Sequence, residues 1–160
     1  MLAAAYASTG SLLGGWQRVP TLVLSARYSL YTVPILLTIS TAALVYAFVD
    51  HDFSVRYVAE NSNLAMPTKY TWVAFYAGNA GSLLFIALAF SLVSVVAVLN
   101  LAKKLKHTAP FSTGIMALVL TFFLAIITFL ANPLERLSFV PQDGQGINPL
   151  LVHFGMFIHP

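Results

Sequence analysis

Three long stretches without a charged side chain constrain the fold of this chain more than any other feature of its sequence. They cover residues 29–49, 70–101 and 111–130. About 20 consecutive apolar residues are enough for a helix to cross the roughly 30 Å hydrocarbon core of a bilayer. Only 8% of the residues are charged, whereas a soluble domain carries about a quarter. The sequence therefore predicts an all-α integral membrane protein with about three transmembrane helices, near 29–49, 71–101 and 111–130.

The residues before the first span, 1–28, contain a shorter apolar segment at 2–13. This segment is too short to cross a bilayer alone, so we expect an interfacial or abbreviated helix there. A cleaved signal peptide is less favoured, because no basic residue precedes the apolar segment. The transmembrane region is then predicted to occupy 29–130, and 131–160 is predicted to form a loop on the outer face.

The lysines and arginines lie mainly on one side of the predicted spans. Five positive and no negative charges fall before the first span and between the second and third, whereas the other connections hold three positive and five negative charges. By the positive-inside rule the first set faces the cytoplasm and the second set the outside. The net charge of +3 thus reflects membrane topology, and we predict no nucleic-acid binding. The cytoplasmic set is Arg18, Arg27, Lys103, Lys104 and Lys106.

The two outer segments, 50–69 and 131–160, hold all five acidic residues and three of the four histidines. We therefore expect function to lie on the outer face, with both segments structured and packed on each other. Residues 53–58 alternate largely between apolar and polar side chains, which indicates a short strand. The second segment is rich in proline, glycine and asparagine, which favour turns.

Structural roles are predicted for a group of charged residues and for a patch of small ones. Glu135 and Arg136 follow directly on the third span, and we expect them to find partners in the first outer segment, at Arg56 and Glu60. An interfacial ion pair of this kind is more often a structural latch than a catalytic device, and exposed pairs contribute little net stability. The small residues of the 78–82 segment are predicted to permit close packing.

Histidine is the residue type through which this chain could bind a cofactor. Without cysteine the chain can form no disulfide, thiolate metal site or Cys-x-x-Cys-His haem attachment site. A neutral imidazole can ligate haem iron, although a lone histidine at a membrane interface is more often solvated or hydrogen-bonded. His153 and His159 are six residues apart, so they would share a face only in an extended segment. A transporter is disfavoured, because no predicted span carries an ionisable residue.

The predicted outer face carries six short motifs, in the order DFSVRYVAENSN (52–63), MPTKY (66–70), AGNAGSLLF (77–85), ANPLERL (131–137), DGQGINPLL (143–151) and FIHP (157–160). Their order and spacing closely resemble the start of the CcmF-type cytochrome c biogenesis proteins, from about residue 25 to residue 160. The resemblance implies a haem lyase subunit of bacterial cytochrome c maturation. Such a subunit receives haem from a periplasmic carrier and joins its vinyl groups to apocytochrome c.

By this resemblance the histidine of the last motif, His159, is an outward-facing axial ligand for haem b, whereas His153 receives no role. The chain departs from the family's pattern at Tyr76, which replaces a tryptophan, and at Ala80, which replaces a glutamate. His153 is a further departure, since the family usually has a polar or acidic residue there. The family's tryptophan-rich haem-binding segment and its other histidines have no counterpart in these 160 residues. We therefore expect an N-terminal piece of a longer protein, which binds haem only in the complete protein or complex.

Two functions follow from these observations. The first is the N-terminal part of a haem lyase component of the bacterial inner membrane, with its acidic loops in the periplasm. It would not be catalytic alone and would act with the rest of the lyase, a periplasmic haem carrier and apocytochrome c. The second is a non-catalytic transmembrane scaffold subunit of a respiratory or photosynthetic complex, derived from this family.

Overall fold

A computed structural model of the protein describes residues 1–67, 70–105 and 107–147, with the backbone alone at Lys104. This part of the chain is largely helical and contains no named strand; a single antiparallel bridge joins Val55 to Arg136. The helices are α1 (Leu2–Trp16), α2 (Pro20–Val49), α3 (Arg56–Asn61), α4 (Thr71–Ala77), α5 (Asn79–Lys104) and α6 (Ala109–Phe129).

Three of these helices, α2, α5 and α6, are long and apolar enough to cross a membrane. Only 28–33% of the most apolar window of each helix is buried within the protein. The remaining apolar side chains suit lipid, which is as apolar as leucine itself. The predicted all-α membrane architecture with three spans is confirmed.

Helix α2 begins at Pro20, nine residues before the predicted start of the first span. Proline is favoured in the first turn of a helix, where its missing N–H needs no partner. The 30 residues of α2 extend about 45 Å, which exceeds the hydrocarbon core by about 15 Å. The charge of Arg27 therefore delimits the apolar stretch but does not mark the end of the helix.

The predicted 71–101 span is divided at Gly78 into α4 and α5. Gly78 is extended, with φ −99° and ψ 163°. The hydropathy pattern does not reveal this break, because small neutral residues on both sides continue the uncharged stretch.

The strand predicted for residues 53–58 is wrong. Val55 forms the single bridge, and helix α3 begins at the next residue. Three consecutive residues of α3 are buried, Tyr57, Val58 and Ala59. The alternation of apolar and polar residues had already ended at Val58, and six residues were too few to distinguish a strand from a helical turn.

The described residues belong to two compact units. Of the described residues, those of 1–38 and 86–128 form unit 1, and those of 39–85 and 129–147 form unit 2. Helices α2 and α5 each contribute residues to both units.

Small residues of α1 form its contacts within unit 1. A Cβ atom at Gly10 would lie 3.1 Å from the Cβ of Ala26, and one at Gly114 of α6 would meet Leu12. Small side chains allow helices to approach this closely, which explains the glycine, serine and alanine content of the segment. The 15 residues of α1 extend about 22 Å, less than the hydrocarbon core. Its buried residues are Ala4, Ala7, Ser8, Gly10, Ser11 and Gly14.

Candidate functional site

Most of the six motifs are brought together in unit 2 by contacts between two loops. We call residues 50–67 the first loop and residues 130–147 the second loop. Residues 54–56 of the first loop pair with residues 135–137 of the second. Arg56 N–H donates to the Glu135 carbonyl at 2.8 Å, and Leu137 N–H donates to the Ser54 carbonyl at 2.8 Å. The two loops are thus joined through the backbone, whatever their side chains.

Charged side chains meet beside this bridge. Arg56 Nε donates to Glu60 Oε1 at 2.8 Å, and Arg56 Nη1 lies 3.4 Å from Glu135 Oε2. The hydrogen bond to Glu60 is the largest cause of a raised pKa for the Arg56 guanidinium, which therefore stays charged. About half of each side chain is exposed, so solvent screens the pairs and they orient the loops more than they stabilise them.

Arg136 contributes to the contact through its backbone. Its guanidinium is exposed and forms no ion pair with any residue that the structure describes. Its charge acts on the carboxyl group of Asp52, whose pKa lies below its ordinary value. The main cause is the hydrogen bond from Ser54 Oγ to Asp52 Oδ1, and the charge of Arg136 is a minor one. Of the four charged residues predicted to form a latch, the structure brings together Arg56, Glu60 and Glu135.

Tyr57 anchors the first loop to the break between α4 and α5. Its hydroxyl donates to the Phe75 carbonyl at 3.0 Å and accepts the Gly78 N–H at 3.0 Å. The side chain is 6% exposed, and its ring packs edge-on against Phe48 with centroids 5.6 Å apart. Burial raises the pKa of the Tyr57 hydroxyl, which therefore stays neutral and able to donate.

Two glycines at this break make room for Tyr57. A Cβ atom at Gly78 would lie 2.8 Å from the Tyr57 hydroxyl, and one at Gly81 would overlap the carbonyl of Phe75. The packing role predicted for the 78–82 segment is therefore confirmed at both glycines. Gly78 packs against the side chain of Tyr57, and Gly81 packs against the carbonyl of Phe75 as well as the Tyr57 hydroxyl.

A second set of contacts joins the first loop to the DGQG motif. Asp143 Oδ1 accepts hydrogen bonds from the backbone N–H groups of Leu64 (2.9 Å) and Gly144 (2.7 Å). Gly146 has φ +78°, a conformation that glycine adopts without strain. A Cβ atom at Gly144 would overlap the carbonyl of Ser62. The glycines of this motif thus allow the two backbones to lie against each other.

A small cavity of about 200 Å³ lies beside the ion pairs, with Arg56, Tyr57, Glu60 and Glu135 in its wall. It is smaller than the roughly 300 Å³ at which pockets for small molecules begin. Ala80 also lines it, at the position where the resemblance places a glutamate. The carboxylates that pair with Arg56 beside this cavity belong to Glu60 of the first loop and Glu135 of the second loop.

The two C-terminal histidines, His153 and His159, lie outside the described residues, so their predicted roles stay predictions. Within the part of the chain that the structure describes, no three histidine, aspartate or glutamate side chains are grouped so that they could hold a metal ion. His51 ends α2 with φ +51°, and its buried Nδ1 has no hydrogen-bond partner among the described residues.

Sequence reasoning missed the two residues that connect most segments in unit 2. Tyr57 was part of the supposed strand, and its position next to the apolar Val58 was the available signal for burial. Asp143 entered the sequence analysis only as the first residue of the DGQGINPLL motif. Each residue has a partner that is distant in the sequence, since Tyr57 bonds to residues 18 and 21 positions away and Asp143 bonds to Leu64, 79 positions away.

The sequence matches curated cytochrome c-type biogenesis proteins. It is 32% identical over 148 residues to the protein NrfE of Haemophilus influenzae, a match that covers 92% of this chain and 23% of NrfE. It is 33% identical over 151 residues to CcmF of Pseudomonas aeruginosa, covering 93% of this chain and 23% of CcmF. With CcmF of Escherichia coli it shares 40% identity over 119 residues, covering 73% and 18%. No family model and no solved structure matches the chain.

The helices and the loop contacts define a multi-pass, all-α membrane protein whose two loops are held together by a backbone bridge, ion pairs and a buried tyrosine. Within that class, the chain belongs to the family of CcmF- and NrfE-type cytochrome c biogenesis proteins. The resemblance seen in its motifs is confirmed. The chain spans about a fifth of the length of the curated relatives that it matches.

Proposed function

We propose that the chain is the N-terminal part of a membrane haem lyase component, which handles haem for covalent attachment to apocytochrome c. The observation that carries the proposal is the similarity to cytochrome c-type biogenesis proteins over 92% of the chain. The proposed partners are the rest of the lyase, a periplasmic haem carrier and apocytochrome c.

The proposed location is the bacterial inner membrane, with the first and second loops in the periplasm. The unequal distribution of lysine and arginine supports this orientation. Because the chain has no cysteine, single cysteines can report it. A cysteine at the first-loop residue Asn63 should react with a membrane-impermeant maleimide in intact cells, and one at Lys103 should react only after lysis. The reverse pattern would overturn the orientation.

The loop contacts support a role in holding the segment that carries His159. Gln145 N–H donates to the Ala59 carbonyl at 2.8 Å, and Gly146 N–H donates to the Ser62 carbonyl at 3.0 Å. These bonds fix the second loop thirteen residues before His159. A firmly held second loop would restrict the positions that this histidine can reach.

Haem b is proposed to bind only to the complete protein or complex, with His159 as one axial ligand. The described residues of unit 2 do not fit haem, because the cavity beside the ion pairs holds only about 200 Å³ and contains no histidine in its wall. When bound, haem would supply the iron centre and the vinyl groups that react with apocytochrome thiols. The residues of the loops would serve to position its ligand.

The test is the haem content of the complete, purified protein. His159→Ala should abolish or sharply lower the Soret absorbance, because an axial ligand is lost. His107→Ala is the matched control and should leave the absorbance unchanged, and His153→Ala should be silent or intermediate. The 160-residue chain by itself should bind haem weakly or not at all. A normal Soret band that survives His159→Ala would refute the assignment.

A second function, a scaffold subunit of a respiratory or photosynthetic complex, is favoured by one observation. Ala80, which replaces the glutamate expected from the resemblance, lines the cavity next to Arg56. Co-purification with subunits of such a complex, together with haem content that is insensitive to His159→Ala, would decide for this function.

A further inference from the structure

Unit 1 contains a larger cavity, of about 860 Å³, with basic and aromatic walls. It lies where α1 ends and where α2 and α6 begin, since Trp16, Pro20 and Pro110 all line it. Arg18, Arg27 and His107 supply its polar side chains. We call it the basic cavity.

The two arginines of the basic cavity lack a counter-charge. Neither guanidinium forms a hydrogen bond or an ion pair with a described residue, and the Nε atom of Arg27 is buried without a partner. The residues that make up unit 1 include no aspartate or glutamate, because all five acidic residues belong to unit 2. A buried charged group without a partner is unfavourable, so the cavity is suited to an anion from outside the chain.

The position of the basic cavity along the helices corresponds to the lipid headgroup region. Arg27 lies seven residues after the start of α2, about 10 Å along the helix, and directly before the uncharged stretch that begins at residue 29. Trp16 is a residue type enriched where membranes meet water. The N-terminal ends of α2 and α6 add partial positive charge to the same place.

The walls of the basic cavity are open to surrounding lipid. The exposed fractions of Trp16, Leu24 and Phe111 are 77%, 48% and 41%. These side chains place a large apolar surface beside the two guanidinium groups. An amphiphile with a phosphate group and apolar chains matches both properties, whereas a free phosphate would use only the charges.

We propose that the basic cavity binds an anionic phospholipid, with the headgroup phosphate on Arg18 and Arg27 and an acyl chain against Trp16 and Phe111. Guanidinium groups recognise phosphate oxygens through paired N–H donors. Trp16 then reports the bound lipid, because it lies in the wall of the cavity.

The test uses tryptophan quenching in the full 160-residue chain, which has two tryptophans. Trp72→Phe leaves Trp16 as the sole tryptophan, which can be excited selectively, and keeps an aromatic ring against Phe75. The protein is reconstituted in phosphatidylcholine nanodiscs with increasing fractions of brominated phosphatidylglycerol or brominated phosphatidylcholine. Quenching of Trp16 should occur at a lower fraction of the anionic lipid. Arg18→Gln and Arg27→Gln should each reduce this preference about fivefold.

Lys103→Gln is the matched control, since it removes an exposed positive charge of unit 1 that does not line the basic cavity. It should leave the preference unchanged, and Arg27→Lys, which keeps the charge, should retain most of it. Circular dichroism checks that each variant remains helical. Equal quenching by both lipids, or equal losses in Lys103→Gln and Arg27→Gln, would overturn the proposal. If inorganic phosphate relieves the quenching of Trp16, the cavity binds a free anion instead of a lipid. If haem relieves the quenching, and does so no longer in His107→Ala, the cavity binds haem.

Discussion

The hydroxyl of Tyr57 connects three segments that are separate in the sequence, namely α3, the end of α4 and the start of α5. It donates to the carbonyl of Phe75, which is buried, and accepts from the N–H of Gly78, which is half-buried. A polar group in such a position stabilises the fold chiefly because its loss leaves its partners unpaired.

We expect Tyr57→Phe to lower the free energy of unfolding by about 1–3 kcal/mol, since the Phe75 carbonyl and the Gly78 N–H lose their partner. Tyr46→Phe is the control, because the Tyr46 side chain is 68% exposed. Denaturant unfolding in detergent, followed by circular dichroism, measures both. Equal stability of the two variants would show that the hydroxyl has no such role.

The carboxyl group of Asp52 makes the first loop sensitive to acid. Hydrogen bonds from Ser54 Oγ (2.5 Å) and Ser54 N–H (3.1 Å) favour its charged form and lower its pKa in the folded protein. The corresponding stabilisation is present above the ordinary aspartate pKa of about 3.9 and is lost as the pH falls through the lower, folded value.

Stability should therefore decrease as the pH is lowered below about 4, and Ser54→Ala should reduce that decrease by removing the main cause of the pKa shift. Unfolding measured at a series of pH values compares the two proteins. Ser82→Ala serves as the control, since that hydroxyl bonds to the Asn79 carbonyl and to no carboxylate among the described residues. An identical pH dependence in Ser54→Ala and the parent would contradict the prediction.

At the scale of the helices, the C-terminal end of α2 is closed by two backbone hydrogen bonds. Asp52 N–H donates to the Ala47 carbonyl at 2.9 Å and His51 N–H to the Phe48 carbonyl at 3.4 Å. This pattern is a Schellman motif, whose left-handed residue is usually glycine. Here that residue is His51, with φ +51°.

Replacing His51 by glycine should stabilise the protein by about 1 kcal/mol, because it removes the steric conflict of a Cβ atom in the left-handed conformation. His51→Ala is the matched control, since it deletes the imidazole but keeps the conflict. The comparison requires only thermal unfolding of the three proteins. If glycine and alanine have the same effect, the imidazole and not the backbone determines the stability at this position.

On the scale of the whole molecule, two loops that are far apart in the sequence are held together. The first and second loops meet through Val55 and Arg136, which occupy a pair of facing positions without a direct hydrogen bond between them. The Cα atoms of such a pair are about 4.5 Å apart, and a disulfide accommodates that separation.

Cysteines introduced together at Val55 and Arg136 should therefore form a disulfide on mild oxidation. The parent chain contains no cysteine, so the cross-link has no competing partner. The disulfide is detected by cleaving the chain between the two loops and separating the products by electrophoresis without reductant. The two fragments then run together as one band of full-length mass if the disulfide has formed. The control pair has cysteines at Val55 and at Phe139, which is 76% exposed and lies beyond the bridge. If both pairs form the cross-link to the same extent, the loops are not held in this register.

Hydropathy and charge by themselves determined the membrane class and the three spans of this chain, and the ordered motifs determined its family. These properties depend on residues that are neighbours in the sequence, so they can be predicted without knowledge of the tertiary structure. The expected contact of Arg56 with Glu135 is present as well, because both charges follow the ends of spans that return to the same side.

Only the tertiary structure decided the break at Gly78, the helical form of α3 and the burial of Tyr57. Each depends on an atom supplied by a segment that is distant in the chain: Gly78 is extended where it meets Tyr57, and residues 54–56 pair with residues 135–137. The basic cavity likewise arises only where the ends of three helices meet. Local patterns set the type of each element, but backbone hydrogen bonds between remote segments set where an element ends and which side chains meet.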